Sequence, residues 1–409
     1  MTLPSGLFVV PSASDARLRD LVRKLRLLVL RDLLAREGTN LSTPVRRALP
    51  RVQRALIGTA RARSSETLAA LGAPDTLPPL LAMMAGVADA DGMLRAAIPQ
   101  LLVALARTHG LIEESVMWDV PIASLALGSR GLARFTPHAH GLIANAAGAE
   151  LRLASGEDVR VDRLDASATV HALPGFDAGH LALHDANPLA MQEEHPDKRG
   201  NAIDLGDRSA EDWTRMLGDA LELVKLTLPT VHAELALMLQ RVVPVGYEPE
   251  RHLSASYREA PGLVYMTLHP SVLTMAEAIV HETQHGKLNL LSFFDPALVN
   301  GRTTWTESPV RPDLRPLSGV LLAVHAFVPV AALHLRLSEL DHPIARTPEF
   351  HARRMQVLAG NARGLRLVHE LGEPTTIGRE VIAALDALHD HTRAAAPDAN
   401  ADAEALPPG

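Results

Sequence analysis

His281, Glu282 and His285 sit in the run His-Glu-Thr-Gln-His, an HExxH sequence and the strongest pointer to chemistry in this 409-residue chain. Two histidines four residues apart on a helix stand one turn above each other on the same face. Both imidazoles can therefore reach one divalent ion. Glu282 between them has the place of a general base, which is the standard zinc-peptidase reading of the motif. The preceding residues, MAEAIV, supply an apolar face. Glu277, one turn ahead of His281, could orient that ring through its second nitrogen. A third ligand must come from elsewhere. Metzincin spacing would place a histidine six residues past His285, but Leu291 stands there. A downstream carboxylate would be Glu307, which lies in a loop, whereas rigid ligands come from regular elements.

Composition narrows the other options. The chain has no cysteine, which excludes disulfides, thiolate metal sites, iron–sulfur clusters and cysteine nucleophiles. Its formal net charge of −7 leaves no basic footprint for nucleic acid. Apolar residues at 47% and charged residues at 21% are an ordinary globular balance. With aromatics at only 3%, Leu, Val and Ala must fill the core. The first residues lack a basic segment followed by a long apolar one, so no secretory signal is read. No apolar run approaches the roughly 20 residues of a membrane span. A cytoplasmic protein without membrane or nucleic-acid partners is expected. There is neither an internal repeat nor a Gly-rich phosphate loop.

The elements that must position the motif follow from periodicity. Apolar residues recur at three and four residues over 15–37, 44–63, 66–71, 77–85 and 91–107, predicting a helical N-terminal region, residues 1–110. Short apolar pieces separated by Gly, Asp and Ser between 116 and 183 suggest antiparallel strands with tight turns. A polar loop over 185–208 completes a second region, residues 111–209. A third, residues 210–394, is helical and carries the motif. It comprises a long amphipathic helix over 210–239 broken at Pro229, a short strand over 262–267, and a helix over 273–294. A Pro- and Arg-rich loop at 295–317 then leads to helices over 319–337, 348–371 and 376–394. Residues 395–409 have the composition of a disordered tail. The expected fold is mainly α with a small antiparallel β region, an α+β chain of two or three domains.

The stretch MAEAIVHETQHGKLNLL, followed by SPVRPDLRPLSGVLLAVHAFVPVA, resembles the HExxH-motif family of peptide-modifying proteins. These are found beside genes for ribosomally made peptides and are described as 2-oxoglutarate-dependent peptide β-hydroxylases. The likeness extends upstream through DANPLA, PDKRGNAIDLG and RHLSASYREAPGLVYMTLHP, so it covers roughly the second half of the chain. It implies Fe(II), 2-oxoglutarate as cosubstrate, and hydroxylation at Cβ of a residue in a ribosomal precursor peptide. Other peptide-modifying enzymes are then natural partners. His281 and His285 would be two iron ligands.

For the third ligand His325, in the apolar segment GVLLAVHAFVPVAALH, is favoured. Pro329 four residues later cannot donate to its carbonyl, which would suit a helix kinked around a cavity. Glu277 or Glu307 stays open as the carboxylate of a two-His-one-carboxylate site. The far carboxylate of the cosubstrate needs a cation, and arginine matches it bidentately. Arg311 and Arg315 are the candidates, on a loop stiffened by Pro309, Pro312 and Pro316, with Arg302 behind them. Lys287, on the motif helix, reads as a solvated lysine. His184, Asp185 and Asn187 read as an Asx-type turn before Pro188 or as groups facing the site. Two further functions stay open. One is a zinc metallopeptidase with Glu282 activating water. The other is a peptide-binding scaffold with a structural metal, against which the lack of thiolates counts.

Overall fold

Leucine-rich stripes at helical spacing fold the first part of the chain into five helices. A computed structural model describes residues 3–4, 6, 9–11, 16–108, 111–187, 202–307 and 313–396. The five helices are α1 (Ala16–Ala35), α2 (Thr43–Ala62), α3 (Ser64–Leu71), α4 (Leu77–Met84) and α5 (Ala90–Arg107). On α1, Leu18, Leu21, Leu25, Val29 and Leu33 form the buried stripe. Asp89 caps α5 by accepting from the amides of Asp91 and Gly92, which satisfies two of the donors a helix start leaves open.

Strands follow: β1 (Val116–Trp118), β2 (Ile122–Ala126), β3 (Leu132–Ala139), β4 (Gly141–Asn145), β5 (Gly148–Arg152), β6 (Asp158–Arg160), β7 (Val170–Leu173) and β8 (Phe176–Ala182). Strands β1, β4, β5 and β6 make an antiparallel sheet in the order β1-β4-β5-β6, and β2 pairs with β3.

The remaining elements are α6 (Ala210–Thr227), α7 (Pro229–Met238), β9 (Leu239–Tyr247), β10 (Ser254–Ser256), β11 (Gly262–Leu268) and α8 (Val272–Leu291). After them come β12 (Trp305–Glu307), β13 (Leu314–Pro316), α9 (Leu317–Glu339), α10 (Pro348–Leu371) and α11 (Thr376–Ala394). The fold is thus mainly α with a small β component, as expected. Pro229 starts α7, and the long helix ends two residues before it at Thr227, since proline fits the first helical turn but not an interior.

The largest sheet departs from the sequence expectation. Its order is β10-β11-β9-β8-β7. β7–β8 and β10–β11 are antiparallel, but β8–β9 and β9–β11 are parallel. Parallel neighbours need a long crossover, and α6 and α7 supply it between β8 and β9. Strand β9 itself is absent from the sequence reading. Pro244 within it argues against a central strand, yet β9 sits between β8 and β11. This sheet joins β7 and β8 to strands beyond residue 210. Residues 397–409 of the expected tail lie outside the described residues.

Every residue of β11 is buried, α6 and α8 pack beside this sheet, and α9 packs on α8 with α10 and α11 against it. Among the described residues α9 alone is long and apolar enough to cross a membrane. Of that stretch 78% is buried inside the protein, so packing on α8, α10 and α11 accounts for its hydrophobicity. It runs unbroken through Pro329.

Candidate metal centre

Helix α8 carries the motif. Ser271 caps it, its hydroxyl accepting from the amide of Thr274. Met275, Ala276, Ile279, Val280, Leu290 and Leu291 are buried and seat the helix. His281 and His285 are only partly buried. Their ring centroids lie 4.2 Å apart at 78°, and Phe327 of α9 packs edge-on against His281 at 4.5 Å. One ligand atom each from His281, Glu282 and His285 all fall within 4.8 Å of one another. Two imidazoles and a carboxylate gathered this closely are a donor set that suits a divalent first-row metal such as iron or zinc. The residues present fit such an ion.

Glu282 is held from the sheet. The Ser254 hydroxyl donates to its Oε1 at 2.6 Å, and the Ser256 hydroxyl donates to its Oε2 at 2.7 Å. Both serines come from β10, and positions two apart on a strand face the same side. Sequence reasoning did not single these serines out. The Ser-Ala-Ser alternation just before a buried strand was the available signal, but nothing in it names Glu282 as the partner.

His325 is fully buried on α9, two residues from the Phe327 that packs on His281. It is not one of the three residues whose ligand atoms gather within 4.8 Å. Glu307 is exposed on β12 and also stands outside that group. Arg315 lies on β13, where its Nε donates to Asp313 at 3.1 Å. Arg302 is exposed, and Arg311 lies outside the described residues.

Glu277 corrects the expectation that it orients His281. It is buried, and its Oε1 lies 2.7 Å from His334 Nε2 of α9 while its Oε2 accepts from Arg353 of α10 at 2.8 Å. Burial works against its charge, but His334 and Arg353 together outweigh it and hold the carboxyl below the usual range. The carboxylate turns to a guanidinium and an imidazole on the packed side of α8, not to its neighbour one turn along.

Lys287 is the second correction. Far from being solvated, it is 0% exposed. Its Nζ donates to Glu234 Oε2 of α7 at 2.7 Å and to the Val9 carbonyl at 2.9 Å. Gln284 donates to the same carbonyl at 3.2 Å. A lysine belongs here because only a long stem with a charged tip reaches both acceptors through an apolar layer.

The Asx turn at 185–187 is present: Asp185 accepts from the amide of Asn187 at 2.9 Å. Tyr265 also donates to Asp185, at 2.5 Å, and burial raises that carboxyl. His184, missed as a structural group, enters a different network. Its Nε2 lies 2.9 Å from Asp75 and 2.9 Å from an Arg241 nitrogen, and its Nδ1 lies 2.9 Å from Thr169 Oγ1. Arg241 in turn donates to Asp75 at 2.7 Å. No model of a known protein family matches this chain, and no curated protein matches it.

Proposed function

We propose that the chain is an Fe(II)- and 2-oxoglutarate-dependent hydroxylase acting in the cytoplasm on Cβ of a residue in a ribosomally made precursor peptide. The resemblance of the motif region suggests the chemistry, and the setting of Glu282 is the observation that favours it over peptide hydrolysis. A peptidase needs this carboxylate to take a proton from water. Here both carboxylate oxygens already accept a serine hydroxyl, which stabilises the charge and fixes the group in place. A fixed carboxylate suits the positioning of a metal site better than proton shuttling.

In this reading His281 and His285 hold the ion from one helix face. The third donor is Glu282, which is gathered with them, or His325 from the neighbouring helix. Bound iron supplies oxygen activation, with 2-oxoglutarate as the reductant consumed. Phe327 packs on the His281 ring and shields one side of it from water. Arg315, on the hairpin that leads into α9, and Arg311 are the proposed holders of the cosubstrate's far carboxylate.

The deciding experiment incubates the purified protein with Fe(II), 2-oxoglutarate, oxygen and a precursor peptide encoded beside it. Succinate should form in step with a peptide that gains one oxygen atom. A peptide cut at an amide bond with zinc and no oxo acid would instead establish the peptidase.

A further inference from the structure

Between the end of α5 and the β4–β5 hairpin lies a cavity of about 540 Å³ that takes no part in the metal centre. Three of its lining residues are arginines, Arg107, Arg130 and Arg160, and Asp162 is the one acid among them. Arg160 and Asp162 satisfy each other at 2.6 Å. Arg130 donates only to neutral acceptors, the carbonyls of Val161, Asp162 and Leu164, at 2.9–3.1 Å. Arg107 donates no hydrogen bond to a carboxylate among the described residues. It also stands near enough to Arg130 to feel its charge: burial and then Arg130 hold the Arg107 guanidinium below its usual range, while Asp75 opposes this. The cavity therefore keeps two like charges together with no carboxylate hydrogen-bonded to either, Asp75 and Asp162 acting on them only through space, in a chain whose net charge is −7.

The surrounding backbone makes room for this. Gly128, with φ +67°, lies where a Cβ would stand 3.0 Å from Arg107 Nη1, so the guanidinium rests against a bare turn. The hairpin wall is Ala146, Ala147, Gly148 and Ala149, side chains too short to fill the space. A cation at a helix C-terminus is favourable by itself, but that role needs neither a cavity nor a second arginine beside it.

We propose that this cavity is a binding site for a small organic dianion, a phosphate ester or a dicarboxylate. Its volume lies in the range of ligand sites, about 300–1,000 Å³. The Arg107 fork matches the oxygens of such a group bidentately, and Arg130, whose Nη1 and Nη2 already donate to carbonyls, adds its charge beside it. The bound charge would relieve the repulsion between Arg107 and Arg130. The inference stands independently of the hydroxylase reading, because α5, the β4–β5 hairpin and the turns Gly128–Arg130 and Val161–Arg163 contribute nothing to the metal centre.

Calorimetric titration of the protein, stripped of divalent metal so that neither anion is read through the metal centre, tests this with inorganic phosphate and with succinate. At least one should bind saturably, and the tighter of the two assigns the phosphate or the dicarboxylate source. Arg107→Gln should weaken that binding about tenfold or more, and Arg107→Lys should recover only part of it, with circular dichroism unchanged in both. Arg107 as a residue is exposed while its tip is partly shielded, so its replacement removes no core packing. Absence of saturable binding by both anions, or equal affinity in Arg107→Gln, would overturn the proposal.

Discussion

His281 and His285 reach the surface of α8 while the rest of the motif turns inward, and that division assigns their roles. A partly exposed imidazole adds little to core packing, so its loss should cost function and leave the fold. His281→Ala and His285→Ala are each expected to lose stoichiometric divalent metal. Stability should change by less than about 1 kcal/mol, as for substitutions away from the core. Elemental analysis after metal loading, with urea unfolding alongside, checks both halves. Full metal occupancy in either variant would remove the site from α8. Ser254 and Ser256 act one step further out, by fixing Glu282 between two hydroxyls.

Helix α8 is anchored from several sides, and each anchor is a charged group in an apolar layer. Lys287 joins it to α7 through Glu234 and to the N-terminal segment through the Val9 carbonyl. Glu277 joins it to α9 and α10 through His334 and Arg353. Removing one member of a buried ion pair costs far more than the pair contributes, because the other charge stays in low dielectric. Lys287→Ala, which takes away the cation facing Glu234, is expected to cost about 3–5 kcal/mol in urea unfolding. Replacing both, as Lys287→Met with Glu234→Leu, should return much of that loss. A cost below about 1 kcal/mol in the single variant would mean that the pair is not buried in solution.

Across the whole molecule, the helical first part meets the large sheet at the Asp75–His184–Arg241 network. Asp75 comes from the turn before α4, Arg241 from β9 and His184 from just beyond β8. Burial works against the Asp75 charge, but His184 and Arg241 outweigh it and the carboxyl titrates below its usual range. Glu277 behaves likewise on α8. A carboxyl depressed by folding adds stability above its unfolded value, about pH 4. That stability is lost as the pH falls from there through the lower folded value. These two carboxyls should therefore keep their contribution from neutral pH down to about 4 and lose it below. Asp75→Asn should be less stable than the parent at neutral pH and should lose less on further acidification. Urea midpoints at neutral and acid pH measure both slopes, and parallel acid losses in the two proteins would contradict the linkage.

What the sequence determined by itself is local. The two imidazoles share a face because a spacing of four is nearly one helical turn. The helices at 348–371 and 376–394 match those observed, since apolar periodicity and caps lie within the element they describe. The helix over 273–294 likewise stands at Val272–Leu291. Tertiary structure alone decided the partners. Glu277 meets His334 and Arg353 across 57 and 76 residues of chain, and Lys287 meets Val9 across 278. Parallel pairing of β8 and β9 depends on a helical crossover, and Pro244 hides β9 from any strand pattern. A residue's spacing fixes which face of its own element it occupies. Which other face covers it, and therefore whether a lysine is solvated or buried and which group a glutamate holds, is settled only when the elements pack.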